Sequence, residues 1–197
     1  YECSEVSDYT YIDGLLTLKV IRDIEKLKKA NKPFFLTAGF ISNHLPFNAP
    51  KKYWDLYKRD LIEQPENFNY IPEGAPNMSI SNWPEMRAYS NIPNKGKVSD
   101  SIAIDLIHGY YATVSYVDAL IGKILDELKE QKLDHNTIVI LVSDHGYNLQ
   151  EHTQWAKFTS YNTSTQVPLV IYNPFSKAKG TTNALISLVD IYPTIAE

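Results

Sequence analysis

Between positions 99 and 132 apolar side chains return every three or four residues without a break: Ile107, Tyr110, Val114, Val117, Ile121, Ile124 and Leu128. That spacing is the period of an α-helix with one buried face. Ser99 or Asp100 can cap its start. At roughly 30 residues the span is near the upper length for a helix of a globular domain. A turn, Leu133-Asp134-His135-Asn136, separates it from Thr137-Ile138-Val139-Ile140-Leu141-Val142. This run does not alternate with polar residues and is rich in β-branched side chains, which predicts a strand covered on both faces. A long one-sided helix feeding an apolar strand confines the chain to α/β architectures.

The same alternation runs through the rest. Ile12, Leu16, Val20, Ile24 and Leu27 predict a helix over 11–30, ended by Asn31-Lys32-Pro33 because proline and its predecessor resist helical continuation. Residues 34–40, nearly all apolar, predict a second buried strand. Residues 51–58 fit a short helix. Residues 167–172 predict a third strand, with Pro168 placing it at an edge or a strand start. Residues 185–189 fit a fourth strand before a helical start at 190–195. The expected fold is therefore α/β: a mostly parallel sheet flanked by helices on both faces. Residues 60–97 break the rhythm with Pro65, Pro72, Pro76, Pro84 and Pro93. A loop this long inside a domain is functional or disordered. Its tyrosines and Trp83 favour packed order and a substrate-side excursion.

Composition narrows the function. The net charge is −4, which argues against a nucleic-acid partner bound through a basic surface. Cys3 is the single cysteine, so no internal disulfide and no cysteine zinc cluster is expected. No apolar run is long enough to span a bilayer. The chain opens on Tyr1 and closes inside a helical start, and so reads as an internal piece of a longer polypeptide.

Sheets of this kind bind ligands beyond the carboxyl ends of their strands. Two polar clusters fall there. His44 follows the 34–40 run, and Ser143-Asp144-His145-Gly146 follows the 137–142 run. A carboxylate and an imidazole side by side at a strand end can both reach a cation, and Gly146 lets the chain turn away. The bland alternative is a turn in which Asp144 caps local amides and His145 is solvated. Lys157 can return its ammonium toward the same place to hold an anion, or it is one more surface lysine. His44 suits an acid, a base or an anion binder, or a structural role in its loop. His152 fits a loop-stabilising hydrogen bond better than a ligand. His108 and His135 fit packing and solvent. Cys3 has no basic neighbour to activate it, and Ser143 lacks the elbow motif of a serine hydrolase.

In order along the chain, four stretches carry a resemblance. They are Lys32-Pro33-Phe34-Phe35-Leu36 with Asn43-His44-Leu45-Pro46-Phe47; Tyr110-Tyr111-Ala112-Thr113-Val114-Ser115-Tyr116-Val117-Asp118; Val142-Ser143-Asp144-His145-Gly146 with Glu151-His152 and Trp155-Ala156-Lys157; and Val167-Pro168-Leu169 with Asp190-Ile191-Tyr192-Pro193-Thr194. Together they resemble the sulfatases of the alkaline phosphatase superfamily, and most nearly their iduronate-2-sulfatase-like branch. Order and spacing make this match more specific than any one motif.

The resemblance implies roles. Asp144 and His145 would be half of a metal site, usually calcium in this family. His44 would contact the sulfate and protonate the leaving oxygen, and Lys157 would bind the sulfate. It implies a sulfuric ester hydrolase acting on a sulfated carbohydrate. It also implies a formylglycine nucleophile, made from a Cys/Ser-x-Pro-x-Arg motif, and a first metal half carrying paired aspartates. Neither is present here, so both are expected upstream, with the chain as the C-terminal portion of the catalytic domain, truncated at both ends and inactive alone. Periplasmic, secreted or lysosomal placement is the family expectation. Most sulfatases carry Asn where His145 stands, and the iduronate-sulfatase branch carries the Asp-His pair. An imidazole suits zinc better than calcium. That keeps zinc as the alternative metal, and a zinc-dependent phosphodiesterase or phosphonate hydrolase of the same superfamily as the alternative enzyme.

Overall fold

The helix predicted over 99–132 is the spine of the structure, and three apolar clusters are strung along it. The computed structural model describes residues 1–81 and 84–197. Trp83, one of the aromatics favouring order in the excursion, lies outside the described residues. In chain order the elements are β1 (Glu2–Ser4), α1 (Ile12–Ala30), β2 (Asn48–Pro50), α2 (Lys51–Trp54), α3 (Asp100–Glu130), β3 (Val139–Val142), β4 (Asn148–Leu149), β5 (Trp155–Ala156), α4 (Asn162–Thr165), β6 (Leu169–Tyr172) and α5 (Ile191–Ala196).

Helix α3 begins where a cap was expected. Ser99 is extended, and its hydroxyl accepts from the Ile102 N–H, satisfying one donor that the first turn leaves open. Its buried face is set by small residues as much as by large ones. Ala103, Gly109, Ala112 and Thr113 are buried, whereas Val114 of the predicted stripe is exposed. The small side chains admit close neighbours: a Cβ on Gly109 would lie 2.9 Å from the Trp54 ring and 3.0 Å from Phe47.

Along α3 the first cluster joins Leu45, Phe47, Met86, Ile92, Val98 and Trp155 to its amino-terminal half. The second joins Ala49, Tyr53 and Trp54 to Ala112, Tyr116 and Leu120. The third joins Val20 and Ile24 of α1 to Leu128 and Leu133. Met86 and Ile92, with the partly buried Ile62 and Tyr89, pack part of the 60–97 excursion on the first cluster, whereas Tyr70, Ile71 and Met78 are exposed.

Helix α1 departs from its predicted stripe by one position at its start. Ile12 is 61% exposed, while Asp13 and Thr17 are buried. The reason is a polar anchor: the Asp13 carboxylate accepts from the backbone N–H groups of Ile41 (2.8 Å) and Ser42 (2.9 Å). The helix ends as expected at Asn31, which adopts the left-handed conformation (φ 49°) that asparagine tolerates at this position.

Two strand expectations are corrected. Residues 34–40 form no ladder among the described residues, and a strand without a neighbour has no hydrogen-bonded partner to define it. They are not covered on both faces either. Phe34, Leu36 and Ala38 pack on the third cluster and Phe40 on the second, whereas Phe35 is 76% exposed. That alternation has the period of an extended chain with one face covered. Residues 185–189 form no strand; a 3-10 turn, Leu188–Asp190, leads into α5.

The strands that pair do so in twos. β1 and β2 are parallel, β4 and β5 form an antiparallel pair, and β3 pairs with β6 antiparallel, Val139 opposite Tyr172 and Val142 opposite Leu169. The parallel pair β1–β2 involves none of the expected strands, and the two expected strands that do pair, β3 and β6, run antiparallel.

Candidate active site

His44 is placed by a loop tied at both ends. Asp13 holds its entrance through the Ile41 and Ser42 amides. Leu45 and Phe47 are buried in the first cluster at its exit. The imidazole Nδ1 lies 2.8 Å from the Leu45 carbonyl. A carbonyl only accepts, so Nδ1 carries a proton and donates it, and Nε2 is the atom presented outward.

Lys157 follows β5 directly. In the β4–β5 pair Asn148 stands opposite Ala156, so the register brings Lys157 across from Tyr147. Lys157 is not a surface lysine, its side chain being 13% exposed. Its Nζ lies 2.6 Å from His44 Nε2, although 113 residues separate the two in sequence. In the neutral ring Nε2 accepts from the ammonium. His44 and Lys157 thus meet, whereas the expected convergence was of His44 with Asp144 and His145, toward which Lys157 would return.

A third group completes the cluster, and nothing in the sequence singled it out. Glu85 Oε1 lies 2.9 Å from His44 Nε2 and 3.3 Å from Lys157 Nζ. Glu85 opens a 3-10 turn, Glu85–Ala88, inside the excursion. The only local sign was an acidic residue beside Met86 in a stretch expected to pack. Its second oxygen, Oε2, is buried and has no hydrogen-bond partner among the described residues. The same holds for Asn43 Oδ1 and the Tyr147 hydroxyl, so unpaired polar atoms line the surroundings of this cluster. Burial pushes the Tyr147 phenol well above its ordinary range, and the nearby Glu85 charge adds to the effect.

Asp144 and His145 sit at the carboxyl end of β3, as expected. Asp144 Oδ1 accepts from the His145 backbone N–H (2.9 Å), the local capping that the bland alternative anticipated. Its other oxygen, Oδ2, accepts no hydrogen bond among the described residues, and the side chain is 85% exposed. His145 Nδ1 donates to the Gly146 carbonyl at 2.8 Å, which leaves Nε2 with a lone pair. That lone pair lies 3.6 Å from Asp144 Oδ2. Two lone-pair atoms so placed repel unless a proton or a cation lies between them. The donor set therefore fits half of a cation site, with the imidazole already oriented by its backbone bond. Among the described residues no third His, Cys, Asp or Glu joins them.

Gly146 is required for closeness more than for turning. A Cβ there would fall 2.1 Å from the Thr163 carbonyl oxygen, and its N–H donates to Ser164 O at 2.8 Å. Among the described residues no hydrogen bond joins the Asp144–His145 pair to the His44–Lys157 pair. Tyr147 connects them, two residues after His145, with its ring 5.8 Å from Phe47 and 5.7 Å from Tyr110.

The remaining candidates fall out. His152 is bound to Tyr70 O (2.9 Å) and Asn67 Nδ2 (3.2 Å), the loop-stabilising role expected of it. His108 Nε2 donates to Trp54 O (2.8 Å) and its ring packs on Trp54. His135 is exposed. Partial burial pushes the Cys3 thiol up despite Lys51 nearby, the opposite of an activated nucleophile.

The arrangement of helices and strands is that of the alkaline phosphatase-like fold. It superposes on the phosphonate monoester hydrolase of Silicibacter pomeroyi with a TM-score of 0.67 at 20% identity, covering 87% of this chain and 34% of that one. It superposes on a protein solved with its substrate D-glucosamine-2-N,6-O-disulfate with a TM-score of 0.64 at 22% identity, covering 83% of this chain and 43% of the other. The chain belongs to the sulfatase family, whose sequence profile, described as "Sulfatase", matches residues 1–197. It is 29% identical to iduronate 2-sulfatase of Mus musculus over 99% of this chain, and 33% identical to that of Homo sapiens over 86%. A sulfatase of Formosa agariphila is 34% identical over 86% of this chain. The chain spans 41%, 32% and 33% of the lengths of these three relatives. Among the described residues no helix is long and apolar enough to cross a membrane.

Proposed function

We propose that this chain is the C-terminal portion of a sulfatase catalytic domain, and that it supplies the sulfate-binding pair, the leaving-group acid and half of a metal site. The observation that carries the reading is the meeting of His44 and Lys157, with Nε2 and Nζ 2.6 Å apart on loops far apart in sequence. A permanent cation beside a histidine whose outward nitrogen is fixed is what a sulfate ester needs. Lys157 binds the anionic oxygens. His44 donates a proton to the ester oxygen as the alcohol leaves.

Asp144 Oδ2 and His145 Nε2 hold a divalent metal, calcium by family resemblance, with the remaining ligands and a formylglycine supplied by polypeptide outside this chain. When present, the metal polarises the sulfate oxygens and the formylglycine hydrate supplies the nucleophile. The name iduronate 2-sulfatase favours a sulfated carbohydrate as substrate, and a periplasmic, secreted or lysosomal setting is the expectation that the family resemblance carries. The His145 imidazole, a ligand more typical of zinc, favours a second reading, a zinc-dependent phosphodiesterase or phosphonate hydrolase.

The test uses the full-length enzyme. Lys157→Ala and Asp144→Ala are each expected to lower hydrolysis of para-nitrophenyl sulfate by at least about 100-fold, with calcium as the bound metal. Undiminished activity in both variants overturns the assignment. Two zinc ions, with phosphodiester turnover in place of sulfate turnover, establish the second reading instead. The 197-residue chain alone is expected to show no turnover.

A further inference from the structure

We propose that Glu85 is a positioning residue of this site, whose fixed carboxylate holds His44 Nε2 in its protonated, donating form for delivery to the departing alcohol. The inference rests on the sulfatase reading above.

The geometry leaves His44 one working nitrogen. Nδ1 is committed to the Leu45 carbonyl at 2.8 Å. Nε2 has two partners of opposite kind, Lys157 Nζ at 2.6 Å and Glu85 Oε1 at 2.9 Å. Neutral, Nε2 accepts from the ammonium. Protonated, it has no use for Lys157 and donates to the carboxylate. Glu85 Oε1 also lies within reach of Lys157, at 3.3 Å. The three groups thus form a closed set in which the ring can be either neutral or charged without leaving its place.

Binding of an anion shifts that balance. A sulfate that draws the Lys157 ammonium to itself removes the donor from Nε2. The remaining partner is then an acceptor, Glu85 Oε1, which fixes the direction of an Nε2–H bond. Among the described residues no other titratable side chain forms a hydrogen bond or ion pair with His44. Tyr147 and Tyr89, which feel the Glu85 charge, are both phenols pushed up chiefly by burial, and they stay neutral. Without a protonated histidine, an acidic side chain at an anion site only repels the substrate.

Glu85 is built in rather than swung in. Its turn is pinned by the Arg87 guanidinium, which donates to Pro93 O and Gly96 O at 2.8 Å each. Met86, next in sequence, is 3% exposed and packs with Leu45 and Phe47, the residues that flank His44. Burial of Oε2 without a partner concentrates the demand for a donor on Oε1.

The step balances as follows. As the bond from sulfur to the ester oxygen breaks, its electron pair goes to that oxygen. The proton on Nε2 leaves the nitrogen, and its hydrogen bond to Glu85, for that oxygen and makes the alcohol O–H. The nitrogen keeps the N–H pair, and neutral His44 again accepts from Lys157. Sulfur gains its new bond from the nucleophile's oxygen, whose own proton passes to solvent, and Nε2 takes a proton back from solvent.

The experiment compares full-length wild type, Glu85→Gln and Glu85→Asp on substituted phenyl sulfates whose leaving phenols run from para-nitro to para-methoxy. A good leaving group needs no acid, whereas a poor one does. Glu85→Gln is expected to lose less than about threefold in kcat/KM at the para-nitro end and about 30-fold or more at the para-methoxy end. Glu85→Asp is expected to recover most of that difference. In a His44→Gln background Glu85→Gln is expected to cost nothing further, because the two act as one unit. Equal loss across the series, no loss, or additive loss with His44→Gln overturns the role of Glu85. A wild-type enzyme with no phenyl sulfate turnover overturns the sulfatase reading, and this inference with it.

Discussion

The two ends of α3 carry opposite kinds of surroundings. At its amino-terminal half three loops from distant parts of the chain close over it, and their polar atoms are specified one by one. The Arg87 guanidinium donates to Pro93 O and Gly96 O (2.8 Å each), and the buried Asn148 amide donates to Ala156 O (2.7 Å) and Ser164 Oγ (2.8 Å). At the other end β3 and β6 offer apolar side chains to solvent: Leu141, Val142, Val170, Ile171 and Tyr172 are all exposed. The catalytic candidates all belong to, or border, the specified end. Placing a lysine against a histidine to within a hydrogen bond takes directional contacts, and generic apolar packing does not supply them.

Glycines give the sharpest way to break this contrast. Gly146→Ala forces a Cβ to within 2.1 Å of the Thr163 carbonyl oxygen, backbone against backbone, with no flexible side chain to yield. The expected loss is about 3 kcal/mol, read as a fall in the urea midpoint. Gly39 has nothing within 4 Å of its would-be Cβ, and Gly39→Ala is expected to change stability by no more than about 1 kcal/mol in either direction. Equal effects at the two positions would erase the distinction between the regions.

What could be read from the sequence divides along the same line. Periodicity located α1, α3 and β3 to within two residues, because burial of one helix face or one strand leaves a repeating mark. His44, Asp144 and His145 were visible as residue types placed after apolar runs read as strands, and Lys157 as a lysine of the loop that follows the second run. Glu85 was not, because an acidic residue in an irregular loop has no periodic context and its role exists only through two partners brought in by tertiary packing. Asp13 was hidden for the same reason: a carboxylate in a first helical turn reads as exposed until the chain it anchors is in place. The 34–40 run misled in another way. Continuous apolar sequence records what a segment can bury, and here only Phe34, Leu36, Ala38 and Phe40 are used.

Alkaline pH probes the packed end with a smaller effect. Burial pushes the phenols of Tyr53 and Tyr116 well above their ordinary range, and neighbouring carboxylates add to it. Tyr116 also donates to Asp8 O at 2.6 Å. For an acid whose folded pKa is raised, the stabilisation is fully present below the unfolded value, about 10, and is lost as pH rises through the folded one. The urea midpoint is therefore expected to hold up to about pH 10 and to fall beyond it, and Tyr53→Phe should make that fall shallower. A midpoint that stays level far above pH 10, or the same slope in Tyr53→Phe, would show that these phenols are not coupled to folding.

The open end should respond in the reverse sense, with almost no cost to folding. Phe35 projects from the uncovered side of the 34–40 segment and is 76% exposed, so its ring contributes little to the folded chain that it does not also contribute to the unfolded one. Phe35→Ser is expected to alter the urea midpoint of the 197-residue chain by less than about 0.5 kcal/mol. Its effect should appear in solution behaviour instead. Contiguous exposed apolar surface drives association, and removing a large ring from it should lower the weight-average mass seen in sedimentation at a given concentration. A marked loss of stability with no change in association would mean that Phe35 is packed after all, and that the 34–40 segment belongs to the specified half of the molecule.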